Sequence, residues 1–222
     1  MHLVIFDLDG TLTDTNEVDS RSIVRALERH TGAAGLSHDW SSYTHSTDEG
    51  IVREVVQRAG HRSDRELIDA IKSDMLDLME QDVAACEDLM RPVEGARNIL
   101  VDLERAGYAV AVATGSWRES ALFKLRFAGI EHIGIPIATA DDHESRVGII
   151  RTAIGRAMER YGRKSFVPVT YVGDGVWDLE AARAMDIHFI GVASGDREAM
   201  LRAKGATTIV KDLTRLKEEL SK

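Results

Sequence analysis

Two hydrophobic patterns alternate along this chain. Near-continuous apolar runs, "LVIF" (3–6), "YAVAVAT" (108–114), "IPIATA" (135–140), "VPVTYVG" (167–173), "HFIGVA" (188–193) and "TTIV" (207–210), are short and rich in strand-forming residues. Runs without polar alternation suit strands buried on both faces, as in a parallel sheet. Between them, "ARNILVDLERAG", "WRESALFKLRFAG" and "VGIIRTAIGRAMERYG" carry apolar residues at three-and-four spacing and end in glycine, the pattern of one-faced helices with glycine stops. Ser116 and Glu119 predict a capping box at the start of the second of these. Strand–helix alternation of this kind predicts an open α/β fold with a parallel sheet and right-handed crossovers.

Residues 15 to about 90 break the alternation. They hold three helical patterns, "NEVDSRSIVRALERHTG", "TDEGIVREVVQRAG" and "RELIDAIKSDMLDLMEQDVAAC", and no convincing strand. Ser46 and Glu49 predict a second capping box. In the third pattern Leu67, Ile71, Met75, Leu78 and Met79 form one apolar stripe, expected to pack on the sister helices. An all-helical insertion after the first strand reads as a small second domain. It divides the chain into a core of residues 1–14 and 88–222 and a helical domain of residues 15–87.

Charge narrows the partners. A formal net charge of -9 over 222 residues argues against nucleic acid or an anionic membrane, since both need a dense basic surface. A small anionic substrate stays open, provided local cations gather it. The single Cys86 excludes an internal disulfide and Cys-rich zinc patterns and fits a reducing compartment. The first apolar run is too short for a signal peptide and lacks a basic flank, and no stretch approaches membrane-spanning length. The expected setting is therefore the cytoplasm. No pattern speaks to oligomeric state, and a monomer is compatible with all of them.

In open α/β sheets, sites form beyond the carboxyl ends of the strands, near the point where strand order reverses. The first run ends in Asp7-Leu8-Asp9-Gly10-Thr11, the second in Thr114-Gly115-Ser116, and the fourth in Gly173-Asp174-Gly175-Val176-Trp177-Asp178. Arg146 stands just before a helix. Each alone has an ordinary explanation as a turn, an N-cap or a solvated helix start. Gathered on one rim, the acids repel one another and demand a cation. An all-oxygen set without His or Cys suits Mg²⁺. A carboxylate beside such an ion can attack phosphorus. A second carboxyl two residues on can protonate the leaving oxygen and later deprotonate water. Thr114, the amides near Gly10 and Gly115, and Arg146 can hold the phosphate oxygens.

These segments carry a family resemblance. "FDLDGTLTD", "VATGS", an arginine ahead of a helix, and "VGDGVWD" resemble, in that order, the four motifs of the haloacid dehalogenase superfamily. "RPVEGARNILVDLERAGYAVAVATGS" is similar to that family's approach to its second motif. The resemblance covers residues 1–14 and about 88–222, and the helical insertion matches the family's cap type lying between motifs one and two. It implies a Rossmann-like core with a helical cap, and it implies roles. Asp7 would be nucleophile and Mg²⁺ ligand, and Asp9 general acid/base and a ligand through its backbone carbonyl. Asp174 would ligate the metal, with Asp178 in support. Thr114, with Gly10, Thr11, Gly115 and Arg146, would bind phosphate. The family usually has lysine in its third motif. Arg146 takes that place here because it precedes the helix leading to the fourth-motif strand, keeps the charge and adds a fork suited to phosphate. Lys124 is the alternative, disfavoured because it sits within a helix with no evident route to the rim. Its removal is expected to be nearly neutral.

The expected function is Mg²⁺-dependent hydrolysis of small-molecule phosphomonoesters through a phospho-Asp7 intermediate, with a small phosphorylated metabolite as partner. Dehalogenation needs no leaving-group acid, so Asp9 argues against it. Thr11 is similar to the family's phosphatases, whereas sugar-phosphate mutases of this cap type tend to carry Val there. A phosphomutase or phosphotransferase of the same superfamily keeps the same acids and is the alternative. A catalytically silent interaction module is opposed by the intact acid set. Dinucleotide binding at Gly173-Asp174-Gly175 is opposed by Asp178 at the third glycine position. Within "YTHSTDEG" (43–50), His45, Thr47 and Asp48 are candidate specificity contacts.

Overall fold

A computed structural model describes residues 1–222. Strand β1 (Leu3–Phe6) leads through β2 (Thr13–Asp14) into three helices, α1 (Asn16–Thr31), α2 (Asp48–Arg58) and α3 (Arg65–Ala85), and then β3 (Arg91–Pro92). The remainder alternates: α4 (Ile99–Arg105), β4 (Ala109–Ala113), α5 (Arg118–Phe127), β5 (Ile137–Ala138), α6 (Arg146–Tyr161) and β6 (Val169–Gly173). It closes with α7 (Val176–Ala184), β7 (His188–Val192), α8 (Asp196–Ala203), β8 (Ile209–Val210) and α9 (Leu216–Leu220).

Six strands form one sheet in the order β5-β4-β1-β6-β7-β8, every pair parallel. This is the open α/β architecture that the apolar runs predict. The chain lays β4 and β5 on one side of β1, then crosses back to add β6, β7 and β8 on the other. Strand order thus reverses at β1, where a crevice opens. Register sets the heights of the motifs. Phe6 pairs with Val112 of β4 and with Val172 of β6, so the residues after all three strands emerge at the same edge.

Side chains of β1 alternate between two cores, as a pleated strand requires. Val4 and Phe6 pack with Val110, Val112, Leu100 and Leu125 on one face. Leu3 and Ile5 pack on the other with Ala109, Ala111, Ala113, Ile149 and Ala153. The alanines of β4 leave room for α6 to lie close, which places its first residue, Arg146, at the rim.

The three helices after β2 surround a separate cluster that includes Ile23 and Leu27 of α1, Val52 and Val55 of α2, and Ile71, Met75 and Leu78 of α3. The α3 stripe is buried as expected, except that Leu67 is only partly covered. Trp117 and Ala140, from loops of the sheet, join this cluster. β2 pairs antiparallel with β3, Thr13 opposite Pro92 and Asp14 opposite Arg91, so the two crossings between sheet and helical layer run side by side. A two-residue pair has no readable periodicity, and the sequence does not announce it. No helix is long and apolar enough to cross a membrane.

Neither capping box forms. Thr47 caps α2, accepting from the Gly50 N–H at 3.2 Å, while Ser46 Oγ donates to the Trp40 carbonyl. At α5 the capping position falls on Trp117, with no side-chain cap. Ser116 Oγ donates instead to Asp9 Oδ2 at 2.7 Å, and a bond to a carboxylate outcompetes a neutral cap.

Met75 is fully buried at the centre of the helical cluster. Met75→Ala should cost about 2–5 kcal/mol in urea unfolding, from lost transfer energy plus the cavity left behind. A loss below about 1 kcal/mol would show that these helices do not pack as a core.

Candidate active site

The turn after β1 sets the site's geometry. Asp7 is 3% exposed, and its N–H continues the sheet by donating to the Val172 carbonyl at 2.8 Å. Gly10 has φ +75, and a Cβ there would lie 2.0 Å from Asp174 Oδ2. Only glycine satisfies both conditions. Asp174 Oδ2 accepts from Asn16 Nδ2 and from Arg197 Nη1, each at 3.0 Å. Its other oxygen, Oδ1, is buried with no donor. Asp178, fully buried, accepts from the Gly175 N–H at 3.0 Å and lies 3.1 Å from the Tyr171 hydroxyl.

Arg146 reaches into this group from the start of α6. Its Nη1 donates to Asp7 Oδ1 at 2.7 Å, and its Nε lies 3.6 Å from Asp178 Oδ1. One oxygen each of Asp7, Asp174 and Asp178 lies within 4.8 Å of the others. Burial, reinforced by Asp178, holds the Asp7 carboxyl well above its usual range despite Arg146. The same two causes push Asp174 up to about 7. Such a trio is short of positive charge. Hard oxygen donors, an orphaned buried oxygen and mutual repulsion together fit a divalent cation.

Asp9 is held differently. Its carboxylate is not among the clustered three; it accepts from Thr15 Oγ1 at 2.5 Å and Ser116 Oγ at 2.7 Å, and lies 2.7 Å from Lys124 Nζ. Burial alone would raise it, but the Lys124 charge and these hydrogen bonds outweigh burial and hold it below the ordinary value. Lys124 corrects the sequence reading. The residue is completely buried, and its long side chain runs beneath the rim to bond Asp9, Ser116 and Asp19. A position inside a helix does not limit an ammonium on a four-carbon stem.

Asp7, Asp9, Thr114, Gly115 and Arg146 line a single narrow cavity of about 30 Å³. Thr114 is buried, its Oγ1 accepting from the Ser116 N–H at 3.1 Å. Thr11 is buried too, with an unpartnered hydroxyl. The helical layer closes over the cavity. Asp48 N–H donates to the Gly115 carbonyl at 2.8 Å, and Arg146 Nη2 donates to the Ser46 carbonyl at 3.0 Å. A Cβ on Gly115 would lie 2.8 Å from Arg146 Nη2 and 2.9 Å from the Ser46 carbonyl, so the closure needs glycine there. Of the three loop candidates, Thr47 and Asp48 line the cavity and His45 does not. His45 borders a neighbouring space of about 830 Å³ that shares Ser46, Arg146 and Trp177 with it.

Sequence reasoning missed Asn16, Asp19, Ser116, Tyr171 and Arg197 as members of this network. Ser116 carried a signal that capping masked. Lys124 left one too, a lysine flanked by Ala121 and Leu125 on the buried face of α5.

The model of the haloacid dehalogenase-like hydrolases matches residues 4–192. A phosphoglycolate phosphatase of Agrobacterium fabrum is 30% identical over 200 residues, covering 87% of this chain and 81% of that protein. The tyrosine-protein kinase PtkA of Mycobacterium tuberculosis is 31% identical over 211 residues, 94% of this chain and 67% of its own length. Among solved structures, a hydrolase from Pseudomonas syringae superposes with a TM-score of 0.75 at 21% identity, covering 100% of this chain and 98% of its own. The sequence match and the shared fold agree, and the chain belongs to the haloacid dehalogenase-like hydrolases.

Proposed function

We propose that this chain is a Mg²⁺-dependent phosphatase of small phosphomonoesters, acting through a phosphorylated Asp7, with residues 15–87 as a closing cap. The observation that carries this reading is the buried Asp7 carboxylate, held by Arg146 at 2.7 Å beside two further acids and short of positive charge. The phosphatase name of the Agrobacterium relative supports it.

The side chains of Asp7 and Asp174 and the Asp9 carbonyl would hold the ion, with Asp178 in support. Bound there, Mg²⁺ supplies the charge that offsets repulsion between a carboxylate and a phosphate. The chain's own residues do the rest. Arg146 fixes Asp7 Oδ1, leaving the other oxygen to attack phosphorus. Thr114, the amides of the Gly10–Thr11 turn and of Gly115, and Arg146 hold the phosphate oxygens. The bond from phosphorus to the ester oxygen breaks, and that oxygen takes a proton from Asp9, which, held as a carboxylate in the closed form, first takes up that proton from solvent water while the cap is open. In the second step Asp9, now a carboxylate, takes a proton from water as the water oxygen attacks phosphorus and releases Asp7. Lys124, Ser116 and Thr15 keep Asp9 in place for both transfers. A cavity of about 30 Å³ holds little more than water, so the cap must swing on the paired β2 and β3 to admit a substrate. A phosphotransferase differs only in what attacks phospho-Asp7, and the kinase name of the mycobacterial relative favours it as second reading. Release of free phosphate without an added acceptor separates the two.

Asp7→Asn should abolish both turnover and covalent labelling. Asp9→Asn, given an aryl phosphate whose leaving group needs little protonation, should show a stoichiometric burst and then slow release. Rapid acid quench with intact-mass measurement reads the adduct. Phosphate found on any residue other than Asp7 would overturn the mechanism.

The ion has a readout beyond activity. In the fold Asp174 binds its proton up to about 7, above its value in the unfolded chain. The native state therefore holds more protons, and stability of the metal-free protein should fall as pH rises from about 4 to about 7. Mg²⁺ should raise the melting temperature more at the higher pH, and EDTA should stop phosphate release. Full turnover after exhaustive chelation would remove the ion from the reaction.

The two cations should separate in kind. Arg146→Ala should cost about 2–4 kcal/mol of transition-state stabilisation in kcat/KM, because a charge-assisted hydrogen bond disappears from a dry site. Lys124→Met leaves Asp9 and Asp19 buried without their cation and should cost about 3–5 kcal/mol of folding stability, read by thermal and urea unfolding. A near-neutral Lys124→Met would show that the buried ammonium holds nothing together.

A further inference from the structure

The leaving-group side of the cavity has a charge of its own. The phosphoryl half belongs to the sheet, at Asp7, Thr114 and Arg146. The other half is lined by residues of α1, α2 and the loop before α2, among them Asn16, Asp19, Trp40, Asp48 and Ile51. Asp19 and Asp48 are each 5% exposed. No lysine, histidine or arginine from the helical layer lines the space, and Arg146 is the one cation that does. It is already engaged by Asp7, Asp178 and the Ser46 carbonyl. Lys124 beneath is shared between Asp9 and Asp19.

Asp48 is the informative member. Its Oδ2 accepts from the Trp117 N–H at 2.9 Å, which fixes the side chain. Oδ1 has no donor from the protein although the residue lines the cavity. Burial, and then Asp19, push the Asp48 carboxyl well above its usual range, and burial raises Asp19 to about 6. An ion at Asp7 and Asp174 would relieve the acids of the sheet but not this pair. Asp48 Oδ1 is left without a protein partner beside a second acid, on a side of the cavity that holds no cation of its own, so an arriving donor finds an acceptor there and an arriving carboxylate finds only acids.

We infer that the site selects phosphomonoesters whose leaving group presents hydroxyl or ammonium donors and carries no carboxylate, with Asp48 as the selecting residue. The inference rests on the phosphatase reading above and sets this chain apart from relatives named for phosphoglycolate. Hydroxyl and ammonium share the donor chemistry that Asp48 lacks, and substrates distinguish them.

Kinetics of phosphate release with Mg²⁺ should be measured on glycerol 3-phosphate, phosphoethanolamine and phosphoglycolate, with an aryl phosphate as reference. The better of the first two should exceed phosphoglycolate at least about tenfold in kcat/KM, and which of them leads tells hydroxyl from ammonium. Asp48→Asn keeps an acceptor for the Trp117 N–H and replaces the free carboxyl oxygen with an amide. It should narrow that ratio at least about threefold, chiefly through KM. Phosphoglycolate used by the wild type as well as either donor substrate would overturn the inference without any variant. A ratio unchanged in folded Asp48→Asn would overturn the assignment to Asp48. No release from any of the four, aryl phosphate included, would instead bring down the phosphatase reading on which this rests.

Discussion

Carboxylates at the carboxyl edge of the sheet outnumber the cations that face them, and the rest of the molecule answers to that imbalance. Asp7, Asp9, Asp19, Asp48, Asp174 and Asp178 are all largely buried, while Arg146 and Lys124 are the buried cations among them. Burying so many like charges without compensation is among the most costly arrangements available to a protein. The fold tolerates it by giving each cation several carboxylates and by leaving the Asp7, Asp174 and Asp178 group in need of an ion.

The imbalance is also distributed. Asp7 and Asp9 sit two residues apart on one turn, yet their carboxyls are displaced in opposite directions, Asp7 upward and Asp9 downward. Strand alternation alone would put residues 7 and 9 on one face, but β1 ends at Phe6 and the turn through Gly10 carries Asp9 toward α5 and Lys124, while Asp7 faces Arg146. One acid therefore keeps company with acids and the other with an ammonium and two hydroxyls. Opposite environments for chemically identical side chains follow from that geometry, the arrangement that separate tasks would need.

Much of this was legible in the sequence. Each apolar run contains a strand because the sheet buries both faces, and the motifs meet because parallel register brings β1, β4 and β6 to one edge. Arg146 was readable because it opens a helix, and helix starts in this architecture point at the rim. Lys124 was not, because its burial depends on carboxylates 115 and 105 residues away in sequence, Asp9 and Asp19. Local pattern records only that a lysine interrupts an apolar face. The serines at 46 and 116 failed for a related reason: a capping box is a local rule, and each hydroxyl had a tertiary acceptor available. The β2–β3 pair is too short to leave any pattern.

Closure of the helical layer and the charge balance are a single problem. Lys124 spans the interface from α5, bonding Asp9 of the sheet's turn and Asp19 of α1. Arg146 spans it from α6, bonding Asp7 and the Ser46 carbonyl. Neither cation can satisfy its partners with the layer lifted away, so opening strips buried carboxylates of donors and exposes them to water, which replaces those donors. A phosphate dianion entering the opened crevice competes with Asp7 and with the Ser46 carbonyl for the Arg146 fork. On the proposed reading, a leaving group that offers donors to Asp19 and Asp48 would add bonds across the interface while the phosphate takes over part of the Arg146 fork, so selection of the substrate and closure over it would be set by the same few charges.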